Sequence, residues 1–499
     1  MDFKLPAAIE SYRSRYRDFV RNHVLPYDTT PESFDEHENI RPELLAILRA
    51  KARDEGLWAP QMPKARGGQG LSVVGMAACY EELNYSLFGP VAANCAAPDD
   101  GNMMLLEKVG TDAQKERWLQ PIVDGTVRSA FAMTEPHPGS GSDPAMMRTT
   151  ARRRGDRWIV EGRKWFITGA GEARHFIVVA KTSDDARKGL TAFLFDRDQP
   201  GWRIVRRIPI LGPEEHGGHC EIEFDALEIP DENRLLGVGD GLKVTQIRLG
   251  TARLTHCMRW LGLARRCLDI AADYASERES QGHKLSERES VQMKLGHCAM
   301  QVEIGRLLVM KAAALLDKGD FARKEISMAK VHVADTLHLC ADTAIQLCGA
   351  RGYSTDTPLE WIYRYARQAP RPAREHPDEA GALRDAGGDR AAAHDEGRGA
   401  PRCGRLRAQG NLDGEGPRGR HAAPVRRYRA AALRGAGLFH RHARRVDLPL
   451  CAPGAAGGRR LRGAPAGAGA LLPRGARRLL ALGLKEAPVN LCVPLCPLC

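Results

Sequence analysis

The chain has 499 residues, which is too long for a single hydrophobic core and predicts roughly two to four domains. Its net charge of +12 is unevenly distributed: residues 370–499 hold 24 Lys and Arg against 11 Asp and Glu, so residues 1–369 carry a net charge of −1. A neutral body argues against nucleic acid as a partner. The sequence has no run of about eighteen apolar residues and no N-terminal signal pattern, so we expect a soluble, cytoplasmic protein that does not bind membranes.

The 13 cysteines favour neither disulfides nor a metal site. The one CxxC pattern, from Cys496 to Cys499, lacks the second pair that a zinc site needs. Cys257, Cys267 and Cys340 fall within helical apolar patterns, which indicates reduced thiols packed in a core. We therefore predict that the protein binds no metal.

Residues 1–125 predict an N-terminal helical domain. Thr111 or Asp112 is a plausible N-cap for a helix that reaches residue 119. Apolar residues recur at three-four spacing in three earlier segments, 5–24, 42–56 and 72–86.

Residues 126–240 change to a period of two and predict a small β domain of sandwich or barrel type. A short strand at 131–133 runs into a Pro/Gly/Ser turn, and a second strand at 158–168 is broken by a Glu-Gly turn. The chain has no strand–GxGxxG–helix unit, so a Rossmann-type dinucleotide site is not expected. Further strands are predicted at 175–181, 190–195, 202–209 and 220–224.

The two strands that open the β domain both end in hydroxyls and glycines, and the second carries Trp165 and Phe166. If they are adjacent, they form a flat aromatic wall with hydrogen-bond donors at its edge. Such a wall suits a planar heteroaromatic ring with a phosphate tail. The pattern alone favours the alternative that Trp165 and Phe166 belong to the sheet core.

Residues 241–369 return to a period of 3.6 and predict a bundle of four long helices. The predicted helices span 241–277, 286–317, 321–348 and 357–368.

The motifs Met-Thr-Glu-Pro (133–136), Gly-Ser-Gly-Ser-Asp (139–143) and Lys-Trp-Phe-Ile-Thr-Gly-Ala (164–170) resemble the flavin-binding strands of the acyl-CoA dehydrogenase family. The resemblance extends over about residues 5–369. It implies an α+β fold with an N-terminal helical domain, a middle β domain and a C-terminal four-helix bundle. It also implies an FAD-dependent oxidoreductase that removes the α-proton and the β-hydride of an acyl-CoA thioester. Further implied partners are an electron-transferring flavoprotein and a second copy or three further copies of the chain.

The resemblance also implies positions for the cofactor-binding side chains. Arg253 matches an Arg that orients the base or the substrate, although a helix-surface role is the alternative. Arg278 lies between two Glu residues and could equally be a solvated surface charge. The residues that resemble flavin contacts are Met133, Thr134, Gly141, Ser142, Phe166, Thr168, Arg278, Ser280, Gln346 and Gly349.

Four residues depart from the family pattern within the cofactor motifs. His137 and Pro138 lengthen the turn after Thr-Glu-Pro, which changes the path of the loop toward the phosphate or the CoA. Gln281 replaces the usual Phe and weakens packing over the adenine. Ala350 replaces a usual Gly, which limits close backbone approach to the diphosphate.

The sequence lacks an acid at either position where the family carries its catalytic base. One position is Ala252, and the other falls at Ala373, just after the resemblance is lost at Pro370. Glu375 lies two residues further on, before Pro377, which disfavours helix there. We therefore assign no catalytic residue and expect weak or absent dehydrogenation.

Residues 370–499 are dominated by Arg, Ala, Gly and Pro, a composition that predicts disorder. A basic arm that binds nucleic acid or membrane and a second folded domain are two possible interpretations. We favour a third, translation of a GC-rich gene in a shifted frame. For the whole chain, the alternatives to an impaired dehydrogenase are a non-catalytic flavin- or acyl-CoA-binding protein and a flavin oxidase or monooxygenase on the same scaffold.

Overall fold

The computed structural model describes residues 4–141, 143–185, 188–214 and 216–368. The predictions made for Ser142, for Ala373 and for the 370–499 tail therefore lie outside the described residues.

Helices form the first part of the chain, as predicted. The helix α1 continues through a π-helical turn, Val20–Val24, and α6 and α7 are joined by another, Lys115–Leu119. Thr111 caps α6 because its hydroxyl accepts from the Gln114 N–H at 3.2 Å while the Gln114 side chain accepts from the Thr111 N–H at 3.1 Å. The helices are α1 (Ala7–Phe19), α2 (Pro42–Asp54), α3 (Val73–Leu83), α4 (Gly89–Ala92), α5 (Asp99–Val109), α6 (Asp112–Gln114) and α7 (Gln120–Val123).

Eight strands then form one hydrogen-bonded sheet. They are β1 (Ser129–Ala132), β2 (Thr150–Arg154), β3 (Arg157–Thr168), β4 (His175–Lys181), β5 (Leu190–Asp196), β6 (Trp202–Arg207), β7 (His219–Pro230) and β8 (Arg234–Leu235). Their order is β6-β7-β3-β2-β4-β5-β8, and β1 lies parallel to β4 beside this path.

The sheet differs from the sequence prediction in three respects. The Glu-Gly pair does not break β3 but forms an irregularity in its pairing with β7. A Cβ at Gly162 would lie 2.7 Å from the Cα of Thr149, so the glycine permits a close approach of two chains rather than a turn. The strand predicted at 220–224 extends to Pro230, and β1 pairs with β4 instead of β3.

The last part of the described chain is a helical bundle. Its first helix, α8 (Gly241–Glu277), packs on the helices α9 (Glu289–Asp317) and α10 (Arg323–Cys348) and on α3 of the N-terminal region. A hairpin of two short strands, β9 (Glu279–Ser280) and β10 (His283–Lys284), connects α8 to α9. The helix α11 (Leu359–Gln368) packs against α10.

Both faces of the sheet are buried, as the alternating side chains of β4 show. Phe176 and Val178 belong to an apolar cluster inside the β domain, together with Phe193 and Phe195. Ile177 points to the opposite face and joins the core shared with the helices. This helix–sheet–bundle arrangement confirms the predicted α+β fold.

The eight described cysteines, among them Cys257, Cys267 and Cys340, are buried free thiols. Within the described residues, no helix combines the length and the apolar character that crossing a bilayer would require.

Candidate functional site

The segment that follows β1 lies against β3, and this contact assembles the predicted wall. The Trp165 N–H donates to the carbonyl oxygen of Thr134 at 2.9 Å. The ammonium of Lys164 donates to the carbonyl oxygen of Met133, also at 2.9 Å. Met133 is buried and Thr134 is half-buried, so two predicted site residues lie directly beside the strand that carries the other two, Phe166 and Thr168.

A buried ion pair holds the loop between β1 and β2 in place. Lys164 is 0% exposed and Glu135 is 2% exposed, and their charged atoms lie 2.8 Å apart. The same carboxylate accepts hydrogen bonds from the backbone N–H groups of Ser140, Arg148 and Thr149, at 3.1, 2.8 and 2.8 Å. Although burial acts in the opposite direction, the neighbouring ammonium and these donors lower the pKa of Glu135 to about 2. The loop is therefore wrapped around one carboxylate.

The end of β3 presents an aromatic ring in a strained backbone conformation. Phe166 has a φ of +51°, which lies in the left-handed region, and its side chain is 45% exposed. Its ring meets the edge of Trp165 at a centroid distance of 5.0 Å. Two residues on, the Thr168 hydroxyl lies 3.0 Å from Nδ1 of His219, the first residue of β7. This part of the wall is open and carries a hydroxyl, as a planar ligand would need.

The remaining predicted residues that the structure describes lie at the surface. Gly141 is exposed, with open space where a Cβ would stand. Arg278 and Ser280 are exposed at the α8–β9 junction, and Ser280 accepts a hydrogen bond from Arg288 through its carbonyl oxygen. The exposed positions in the bundle also include Gln346 at the end of α10, Gly349 just after it, and Arg253 on α8. The structure thus brings Met133, Thr134, Phe166 and Thr168 to one wall and leaves the other predicted residues that it describes exposed elsewhere.

A cavity of about 90 Å³ lies where the N-terminal helices, the β domain and the bundle meet. Its walls are mainly apolar, with Phe88, Val91, Leu263 and Trp361 among them. None of the described residues that were predicted to contact the flavin lines it. The remaining wall residues are Glu38, Asn39, Ile40, Asn84, Leu87, Pro90, Ala96, Ala97, Arg128, Pro213, Glu214, His216, Arg259 and Tyr365.

Arg128 and His216 are among the polar residues of the cavity wall. Arg128 forms an ion pair with Asp99 at 2.5 Å, and Asp99 also accepts hydrogen bonds from the backbone and the hydroxyl of Ser129 at 2.7 Å each. His216 stands nearby, and its pKa falls to about 3 because of burial and the charges of Arg128 and Arg49. The imidazole is therefore neutral at physiological pH.

A second buried ion pair joins the N-terminal helices to the bundle beside the cavity. Arg259 of α8 donates to Asp100 of α5 at 2.8 Å and to the Cys95 carbonyl oxygen at 2.9 Å. The Tyr80 hydroxyl donates to the other oxygen of Asp100 at 2.9 Å. These bonds hold α8 against α5 beside the cavity.

Sequence reasoning missed Lys164, Glu135, His216 and His219 as site residues. Lys164 and Glu135 belong to the motifs quoted in the sequence analysis. The signal that could have predicted their pairing is that Lys164 is a charged residue at an inward-facing position of β3. His219 was missed because the strand was predicted to begin one residue later. The residues that the structure describes contain no cluster of three or more His, Cys, Asp or Glu side chains suited to a metal ion.

The fold defines a class of protein, an enzyme scaffold made of N-terminal helices, a β sheet and a helical bundle. The site adds an aromatic wall that suits a flat ligand and a mainly apolar cavity beside the bundle. Three family models match the chain in sequence: the N-terminal domain of acyl-CoA dehydrogenase at residues 7–126, the middle domain at 130–227 and the C-terminal domain at 239–370. The chain belongs to the acyl-CoA dehydrogenase family, which confirms the resemblance inferred from the motifs. FAD is accordingly its cofactor.

The proteins that are similar to this chain differ in the share of their own length that the match spans. The probable acyl-CoA dehydrogenase FadE2 of Mycobacterium tuberculosis is 36% identical over 378 residues, which are 74% of this chain and 92% of FadE2. Acyl-CoA dehydrogenase family member 11 of Gallus gallus is 36% identical over 368 residues, 71% of this chain, but the match spans only 47% of that longer protein. A solved putative acyl-CoA dehydrogenase from Mycobacterium abscessus has a TM-score of 0.69 and 32% identity, covering 77% of this chain and 99% of its own.

The described residues fit FAD. Phe166 presents an exposed aromatic ring from a left-handed backbone conformation, and strained conformations of this kind cluster at ligand-binding sites. Beside it stand a hydroxyl, that of Thr168, and the backbone of Thr134. These groups match the apolar face and the polar edge of a flavin ring.

Proposed function

We propose that this chain is an FAD-dependent acyl-CoA dehydrogenase-like oxidoreductase whose dehydrogenation of acyl-CoA thioesters is weak or absent. The observation that carries the proposal is the end of β3, where the exposed, strained Phe166 stands beside the hydroxyl of Thr168. When bound, FAD supplies the electron acceptor of the reaction, and the protein supplies orientation and hydrogen-bond donors.

In this proposal, the wall residues Met133, Thr134, Phe166 and Thr168 hold the flavin ring. Gly141 and Ser142 hold the diphosphate from the loop after β1. Arg253 orients the substrate from α8. The exposed residues Arg278, Ser280, Gln346 and Gly349 complete the cofactor site from the bundle of a second copy of the chain.

The cavity beside the bundle is proposed to take the acyl chain of the substrate. Its mainly apolar wall suits a hydrocarbon chain, and it lies between the N-terminal helices and α8. Removal of the α-proton requires a carboxylate within hydrogen-bond reach of the substrate. Two described carboxylates line the cavity, but Glu38 pairs with Arg364 at 2.7 Å and Glu214 pairs with Arg207. Because both face arginines, we propose neither as the base, which supports impaired dehydrogenation.

The proposal is tested by purifying the protein with added FAD and recording flavin absorbance before and after anaerobic addition of short, medium and long straight-chain acyl-CoA. We expect a yellow protein whose flavin absorbance persists after each acyl-CoA is added. Flavin bleaching at an ordinary rate would contradict the proposed impairment. A folded, colourless protein that takes up no FAD would contradict the flavin site itself.

A non-catalytic flavin- or acyl-CoA-binding protein is the second candidate function. It is favoured by the pairing of both cavity carboxylates with arginines, together with Ala252 and Ala373 at the positions where the family carries an acid. Tight binding of an acyl-CoA by the yellow protein, measured by calorimetry, without any flavin reduction would select this function.

We also propose that the chain forms a homodimer or homotetramer through α9 and α10 and passes electrons to an electron-transferring flavoprotein. Apolar side chains on these helices are exposed, among them Met293, Met300, Leu307 and Met328. A row of exposed apolar residues along two helices suits burial against another chain. Light scattering of the purified protein measures the number of chains directly.

A further inference from the structure

The hydrogen bond between Thr168 and His219 lies at a junction that two pairs of glycines make possible. The Gly169 N–H donates to the Gly218 carbonyl oxygen at 2.8 Å, and the Gly171 N–H donates to the Gly217 carbonyl oxygen at 2.9 Å. These bonds bring the turn after β3 onto the start of β7. Thr168 and His219 are direct partners in the register of the two strands. Their side chains therefore meet because of the backbone pairing and not by a rotamer choice alone.

The chemistry of this pair depends on one proton. A threonine hydroxyl has a single hydrogen to donate, whereas its oxygen can accept. When Nδ1 of His219 carries no hydrogen, the Thr168 hydroxyl donates to it and can only accept at its other side. When Nδ1 carries a hydrogen, it donates to the Thr168 oxygen, and the hydroxyl hydrogen is free to point elsewhere.

The ring of Phe166 and the backbone of Ile208 lie next to the pair. Phe166, two residues before Thr168, has its ring centroid 6.4 Å from that of His219. The backbone of His219 is held on the far side by the Ile208 N–H, which donates to its carbonyl oxygen at 2.7 Å. The side chains of Thr168 and His219 are both half-buried, so neither is fully exposed to solvent.

We propose that His219 is a positioning residue that sets whether the Thr168 hydroxyl donates or accepts a hydrogen bond toward the FAD ring. This inference rests on the proposed function, in which Thr168 contacts the flavin. His219 itself does not touch the cofactor in this scheme. It acts on the flavin only through Thr168, and this dependence can be measured.

The test is a double-mutant cycle on FAD binding with His219→Leu, Thr168→Val and the double variant. His219→Leu removes the ring nitrogen, and Thr168→Val removes the hydroxyl with little change of shape. His219→Asn is the conservative control, because its side-chain amide reaches the position of Nδ1 and restores a partner for Thr168. The dissociation constant of FAD, the visible absorption maximum of the bound flavin and the far-ultraviolet circular dichroism are recorded for each protein.

We expect both single variants to bind FAD about 2- to 10-fold more weakly, the size of one neutral hydrogen bond, and to shift the flavin absorption maximum. The double variant should be no worse than Thr168→Val, because His219 has no route to the flavin once the hydroxyl is gone. His219→Asn should restore most of the wild-type affinity and spectrum.

The inference is overturned if His219→Leu leaves FAD affinity and spectrum unchanged while Thr168→Val alters them, or if the two effects simply add. It is also overturned if His219→Asn is as impaired as His219→Leu although both are folded. Failure of the wild-type protein to bind FAD would instead overturn the proposed function, and this inference with it, so the wild-type measurement separates the two failures.

Discussion

Replacing Lys164 with Met should strongly destabilise the β domain, in a way that depends on pH. The substitution removes the cation that pairs with the buried Glu135 carboxylate, the only one within ion-pairing distance among the described residues. It also removes the closer of two side-chain donors to the Met133 carbonyl, which keeps only the Ser140 hydroxyl at 3.5 Å. Breaking a buried pair by removing one partner costs about 3–5 kcal/mol. Three backbone N–H groups would still face Glu135, so the lower part of this range applies.

Protonation of Glu135 sets a limit on the cost. In the variant, Glu135 can take up a proton instead of staying charged. From its ordinary pKa of 4.5, this costs about 3.4 kcal/mol at pH 7 but only about 0.7 kcal/mol at pH 5, at about 1.36 kcal/mol for each pH unit. In the wild type, Glu135 has a lowered pKa and contributes stability above about pH 4.5 that is lost as the pH falls toward 2. The variant should therefore approach wild-type stability as the pH is lowered from 7 to 5.

The assay is urea unfolding of both proteins at pH 7 and at pH 5, followed by tryptophan fluorescence. The double variant Glu135→Gln with Lys164→Met removes both charges and should recover much of the loss at pH 7. The control is Arg174→Met, which breaks an exposed ion pair with Asp198 whose side chains are 50% and 67% exposed and should cost less than about 1 kcal/mol. A loss at pH 7 no larger than that of the control, or an equal loss at both pH values, would refute the reasoning.

Three further predictions address other parts of the site. The folded protein holds His216 neutral with a pKa of about 3, while the unfolded chain takes up a proton below about pH 6.5; stability should therefore fall as the pH drops from 6.5 toward 3. His216→Gln should remove about 2 kcal/mol of the stability difference between pH 7 and pH 5, and an unchanged difference in urea unfolding would contradict this. Gly217→Ala should lower the free energy of unfolding by more than about 2 kcal/mol and weaken FAD binding, because φ at this position is +78° and the new Cβ would lie 2.6 Å from the Gly169 carbonyl oxygen. A calorimetric melting temperature equal to that of the wild type would contradict this prediction. Leu307→Asp, at an exposed position of α9, should reduce the mass seen by light scattering to that of a single chain while the circular dichroism is kept; an unchanged mass would place the contact elsewhere.

The prediction that the chain lacks a catalytic base also has an experimental consequence. Ala373→Glu places an acid at the position where the family pattern expects one, but it does not restore the sequence pattern, which is lost from Pro370 onward. We expect this variant to remain inactive toward acyl-CoA in the same anaerobic flavin assay. Sequencing of the gene around codons 368–372 is the complementary check on the proposed frame shift.

The sequence by itself determined the order and kind of the elements. Periods of 3.6 and two identified the helical segments and the β domain, and α8 and β4 begin and end where the pattern placed them, because each alternation reports which face of an element is buried. Short motifs also identified the family, since residues such as Thr134 and Thr168 stand in recognisable local contexts. These are local signals, and local signals can be read along a chain.

Only the tertiary structure decided which distant residues meet. The pairing of β1 with β4, the bond between Thr168 and His219 and the ion pair between Glu135 and Lys164 join residues 29 to 51 positions apart. No periodicity in the sequence predicts such contacts. They depend on the order of the strands in the sheet and on which charged groups lie close together when they are buried away from water. The Glu-Gly pair of β3 is a further example. The sequence predicts a turn at Gly162, but in the structure the strand is continuous there and the glycine permits the close approach of Thr149.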